Sequence, residues 1–334
     1  METRQLGTLW PVSALALGGA GFFASNNDRS GRAESVAIVR AAADLGVTLF
    51  DMAPAYGRNE CEVIIGEAFE GHVPAGVRIA AHCDLGTPST GTVLDILERS
   101  LQRSLEAMRI EHADLLFLDS DICPDQYVYQ RDRDTQDEWA TRWTVYREAV
   151  IPAMEALVAK GLIGAWGIAG MGLPKCLMDA LREEPRPAVV QVAANLLDSA
   201  GDRRRYEEPP EPRNIARTAQ NNDVGVMGVR PVQGGALTAK IDRNLPAGHP
   251  QRIDYDKAAP FRALCAELGE DPALVACRYA AFMPGLDSLV LSVKNVAELG
   301  VVVKACEKGP LDPSITARIH GLRLHVQMPR MPID

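Results

Sequence analysis

Asp51, Tyr56, His82 and Asp119 are the residues of this 334-residue chain whose types and spacing could do chemistry. Two carboxylates, an imidazole and a phenol gathered in one place form an acid/base set that can give protons to a small molecule or take them from it. Asp51, His82 and Asp119 each close a short apolar run, and Tyr56 follows on the loop 52–57 beside Pro54 and Gly57. Singly, each would be a run-end residue making local hydrogen bonds. Three at successive run ends point to one shared mouth. A metal centre built from Asp51, His82, Cys83 and Asp119 is not expected, because no second histidine ends another run and no HExxH occurs. The chain has no GxSxG, and the glycine-rich 17–21 lacks both dinucleotide-fingerprint spacing and a P-loop lysine.

The elements that must position these groups recur along the whole chain. Apolar runs at 13–18, 47–51, 78–82, 114–118, 163–168, 188–193, 224–229 and 288–292 show little polar alternation, as strands buried on both faces do. Helical patterns lie between them, over 32–45, 92–108, 143–159, 174–181, 213–219, 260–268, 272–282 and 295–306. Alternating strands and helices imply parallel pairing, and eight such units predict a single (β/α)8 barrel with its chemistry at the carboxyl ends of the strands. The expectation is one domain over 1–334, with a long irregular loop at 119–142 and a C-terminal helix. That loop is acidic and carries Tyr127, Tyr129 and Trp139, which suits a cover over a ring-like or sugar-like substrate. A second polar stretch spans 199–212.

Composition narrows the partners. Lys and Arg total 35 and Asp and Glu 44, a net charge of −9, which argues against nucleic acid and anionic membranes. No apolar run reaches the 18 or so residues that span a bilayer. The stretch 13–24 is broken by three glycines and reads as a buried first strand rather than a signal core. Seven scattered cysteines with no CxxC pair fit a reducing, cytoplasmic setting. A small-molecule substrate remains; the oligomeric state is open.

Several segments together carry a resemblance to a known family. Residues 50–60, FDMAPAYGRNE, resemble the aldo/keto reductase pattern FDTAxxYGxxE. The opening RQLGTLWPVSALALGGAGF is similar to that family's first hairpin and strand. VGVMGVRPVQGGALTAKIDR, 224–243, is similar to the loop after its seventh strand, and SLVLSVKNVAEL, 288–299, to its cofactor clamp. The resemblance implies a (β/α)8 carbonyl reductase using NADP(H), or NAD(H), with a catalytic Asp, Tyr, Lys and His. Asp51 and Tyr56 match. The lysine's place reads IAAH, giving His82, and the histidine's place reads LLFLD, giving Asp119. For the cofactor, the family's Ser-Asn pair falls on Ala169 and Gly170, and its glutamine is kept as Gln191. The resemblance assigns Arg230, Pro231, Gly234 and Leu237 to the loop after the seventh strand, and Ser292, Lys294, Asn295 and Glu298 to the clamp.

The implied reaction adds hydride to a carbonyl carbon while Tyr56 gives a proton to the oxygen. His82 would supply the cation that the lysine supplies elsewhere. With an ordinary histidine pKa, activity is expected to fall above neutral pH. Asp119 as a neutral carboxylic acid could donate to an enone oxygen and shift the chemistry toward a conjugated C=C bond. The alternative is a cofactor-independent lyase, dehydratase or isomerase using Asp51, Tyr56, His82 and Asp119 as acid/base groups. A non-catalytic binding protein is the third reading.

Overall fold

The computed structural model describes residues 1–22, 29–57 and 59–325, with the backbone alone at 29 and 30. Phe23 and Ala24, at the end of the apolar stretch 13–24, lie outside the described residues. The chain opens with an antiparallel hairpin of β1 (Thr3–Gln5) and β2 (Pro11–Ser13). Eight parallel strands then close into a barrel: β3 (Leu15–Gly18), β4 (Leu49–Met52), β5 (Arg78–Cys83), β6 (Ala113–Leu118), β9 (Ile163–Ala169), β10 (Val189–Ala193), β11 (Gly225–Val229) and β12 (Ser288–Leu291). Each pairs with the next barrel strand, and β12 pairs with β3 to complete the ring. Within 119–142, expected to be an irregular loop, β7 (Asp121–Cys123) and β8 (Ala140–Arg142) form a small parallel sheet of their own.

All eight barrel strands fall on the expected runs. They are legible because a strand buried on both faces needs apolar residues at every position. Helices cross between them, from α1 (Arg29–Asp44), α2 (Glu60–Phe69) and α3 (Val93–Met108) to the last two, Val296–Glu307 and Pro313–Gly321. The pattern had not predicted α2 or the helix Pro250–Lys257. The helix expected over 143–159 is interrupted by a wider π turn at Tyr146–Val150. Pro152 lies just beyond it; it has no N–H to donate and its ring crowds the preceding turn.

The interior of the barrel is packed. Ala16, Leu49, Ala80, Leu115, Phe117, Val189, Met227 and Val290 fill it, and Leu6 and Val12 of the hairpin seal the floor. Two cavities, of about 320 Å³ beside Arg4 and Phe282 and about 540 Å³ beside Val77 and His112, lie at this floor end. Among the described residues, no helix is long and apolar enough to cross a membrane.

Candidate active site

Three of the four acid/base residues meet as a row of alternating charge. Asp51 is on β4 and His82 on β5, both 5% exposed. Asp119 follows β6, and its N–H donates to the Cys83 carbonyl at 2.9 Å, so the ladder delivers it next to His82. His82 Nε2 lies 2.8 Å from Asp51 Oδ1, and Nδ1 lies 3.7 Å from Asp119 Oδ2. The second distance is an ion pair too long for a hydrogen bond. Phe117 stacks on the imidazole, with ring centres 5.0 Å apart. Gln191 on β10 donates its amide N–H to Asp51 Oδ1 at 2.9 Å.

Burial alone would strip the proton from His82. The charges of Asp51 and Asp119 outweigh it and push the imidazole up to about 10. Burial pushes the Asp119 carboxyl up, but His82 and Arg203 outweigh that and hold it at about 2. Two expectations are thereby corrected. His82 does not titrate near 6.5, so a fall in activity just above neutral pH no longer follows. Pairing with Arg203 and His82 favours the ionised, accepting form of Asp119 over the neutral acid that would donate to an enone oxygen.

Tyr56 stands at the mouth on the turn after β4, 38% exposed. Desolvation by the surrounding atoms, then the charges of Asp51 and Asp119, push its hydroxyl up to about 12, against the pull of Arg203 and Arg230.

Arg203 is the site residue that the run-end pattern missed. It sits on the turn Gly201–Arg203 and donates from Nη2 to Asp119 Oδ1 at 2.9 Å. Nothing in local sequence marks it, since its reach to the far side of the mouth depends on the fold. The loop 119–142 also differs from expectation. Tyr129 is 1% exposed and packs edge-on against Tyr127 and Trp139. Arg205 lies over the Trp139 ring at 4.1 Å and pairs with Asp132. Arg131 donates to the Asp202 carbonyl at 2.9 Å. Through Trp139 under Arg205 and through Tyr127, whose hydroxyl donates to Glu208 at 2.9 Å, these aromatics tie the 119–142 loop to the 199–208 stretch.

The expected cofactor residues divide into two ends. At the phosphate end Ser292, Lys294 and Asn295 are exposed. The Asn295 side chain accepts the Glu298 N–H at 2.8 Å, capping the helix Val296–Glu307. A Glu34 carboxylate accepts the Val296 N–H at 2.9 Å, and Lys294 Nζ pairs with Asp242 at 2.7 Å. Carboxylates thus sit on this helix start and on Lys294, which is the donor set an anionic phosphate takes. The residues fit the phosphate end of a dinucleotide.

The nicotinamide end is different. Ala169 closes β9 and is buried. Gly170 has no room for a side chain, because a Cβ there would lie 1.9 Å from the Gln191 carbonyl oxygen. The amide grip of a Ser-Asn pair therefore has no counterpart. In the loop after β11, Arg230 (φ 62°) and Gly234 (φ 58°) turn the chain, while Pro231 and Leu237 are buried as anchors with no open face.

The aldo/keto reductase family model matches residues 14–323. The chain is 23% identical over 304 residues to L-galactose dehydrogenase of Arabidopsis thaliana, covering 90% of this chain and 86% of that protein. The aldo-keto reductase AKR11C1 of Bacillus halodurans in its holo form superposes with a TM-score of 0.69 at 19% identity, over 96% of each chain. An aldo/keto reductase of Klebsiella pneumoniae in complex with NADP and acetate gives 0.66 at 18% identity, over 98% of this chain and 97% of that one.

Proposed function

The chain belongs to the aldo/keto reductase family, and on that premise we propose that it reduces a carbonyl group of a small molecule with NADPH or NADH, Tyr56 giving the proton. The observation that carries this reading is the Asp51–His82–Asp119 row, in which a cation stays charged at neutral pH beside the tyrosine's turn. When bound, a reduced nicotinamide supplies the hydride to the carbonyl carbon. Ser292, Lys294, Asn295 and the N–H groups that begin the helix Val296–Glu307 hold the phosphate end. Arg230, Pro231, Gly234 and Leu237 shape the adjoining loop, and Ala169, Gly170 and Gln191 line the other end.

Tyr56 then acts as a phenol that keeps its proton until the carbonyl oxygen becomes strongly basic. A hydroxyl pushed up to about 12 suits this direction better than the reverse. Alcohol oxidation would need the phenolate as base, and the neighbouring carboxylates oppose it. His82 itself cannot serve as the base of a cofactor-independent proton abstraction while it holds its proton to about 10.

The test is a fluorescence titration of NADPH and of NADH, paired with turnover of small aldehydes. Tyr56→Phe should bind nucleotide as the parent does and lose turnover by about 10²-fold or more. If neither nucleotide binds at millimolar concentration, the reductase reading fails.

A further inference from the structure

Arg203 and Arg230 approach the mouth from the two sides of one turn. Arg203 ends the turn Gly201–Arg203, and Asp202 within that turn accepts from Arg230 Nη2 at 2.7 Å. Gly201 makes the approach possible: its φ is 58°, and a Cβ there would lie 3.1 Å from Arg230 Nη2. Arg230 is itself a non-glycine residue in the left-handed region, at φ 62°. Such a backbone persists only where its surroundings hold it. Its Nε donates to Gln233 Oε1 at 2.9 Å, and Gln233 is wholly buried and bonded to Asp254 at 2.8 Å. The guanidinium is therefore aimed.

The donors outnumber their partners. A guanidinium has five N–H groups. Arg203 gives one to Asp119, and Arg230 gives one each to Asp202 and Gln233. The Arg203 side chain is 41% exposed, whereas the Asp119 carboxylate beneath it is 14% exposed. Asp121 and Asp84 also act on Arg203, so what the site offers an anion is local: the N–H donors of Arg203 and Arg230 that Asp119, Asp202 and Gln233 leave unused. Both guanidinium groups act on the Tyr56 hydroxyl.

We infer that the substrate of this site is a carbonyl compound that also carries a carboxylate, seated on Arg203 and Arg230 while its carbonyl meets Tyr56. A planar guanidinium matches a carboxylate with paired N–H donors, which a neutral sugar or aldehyde would leave to water. The inference rests on the reductase reading for the carbonyl step, but the acid's seat is independent of turnover. The step balances as before: hydride to carbon, a proton from Tyr56 to oxygen, and an alcohol with its carboxylate unchanged.

The experiment compares succinic semialdehyde with butanal under saturating nucleotide, and titrates malonate calorimetrically into the same protein. The acid should exceed the neutral aldehyde in kcat/KM by about tenfold or more, the worth of one charge-assisted pair. Malonate should bind and compete with the acid. Arg203→Lys keeps the charge beside Asp119 but loses the planar fork, and should narrow the preference and weaken malonate. Equal rates for both aldehydes without malonate binding would overturn the inference and leave the reductase standing. Malonate binding with no reduction of either aldehyde would overturn the reductase reading and keep the acid's seat.

Discussion

His82 stays charged because two carboxylates flank it, and this fixes the sign of its pH effects. Its pKa in the folded chain is about 10, against roughly 6.5 in an unfolded one. The stabilisation is complete below about pH 6.5, declines above that, and is gone once the pH passes about 10. Urea unfolding of the parent and of His82→Gln at pH 5.5, 7.5 and 9.5 should show a gap that narrows with rising pH; a gap that widens would refute the assignment. Turnover limited by the imidazolium should hold from pH 6 to 9 and drop near 10. Of the site itself, Asp51, His82 and Asp119 were legible because each interrupts an apolar run. Their charge states were not, since these depend on neighbours such as Arg203, 84 residues beyond Asp119 in sequence.

At the level of elements, helix α2 shows why one helix escaped the pattern and what it costs. Its Gly66 weakens the helical signal, yet a Cβ there would lie 2.5 Å from the Ala107 carbonyl oxygen of α3. Close packing of the two helices demands the glycine. The same helix carries Glu62, 1% exposed, with neither carboxylate oxygen hydrogen-bonded. Burial pushes it up to about 7, so it costs stability above that pH and nothing below about 4.3, its unfolded value. Glu62→Gln should therefore stabilise the protein by about 1–3 kcal/mol at pH 8, with little effect at pH 4.5, by chemical denaturation. A loss of stability at pH 8 would mean the carboxylate has a function in the folded state. The loop 119–142 failed to read as structure for a related reason. Its apolar contacts are Tyr129, Tyr127 and Trp139 meeting one another, a cluster with no period along the chain.

Over the whole molecule, the eightfold alternation was the most legible feature, because it repeats one local rule from end to end. All seven cysteines are free and buried, spread from α2 to the helix Val296–Glu307. A thiol reagent should label essentially none of them in the native protein and all seven in denaturant. Prompt labelling of several native thiols would show that the layer between barrel and helices opens readily. The hairpin that seals the floor has a consequence for how such a molecule can change over generations. Leu6 and Val12 close the apolar interior at one end, while residues 51, 82 and 119 stand at the other. Mutations at the mouth therefore meet little resistance from folding, and mutations at the floor meet much. A lineage built this way can trade one set of reactive side chains for another and pass the scaffold on intact.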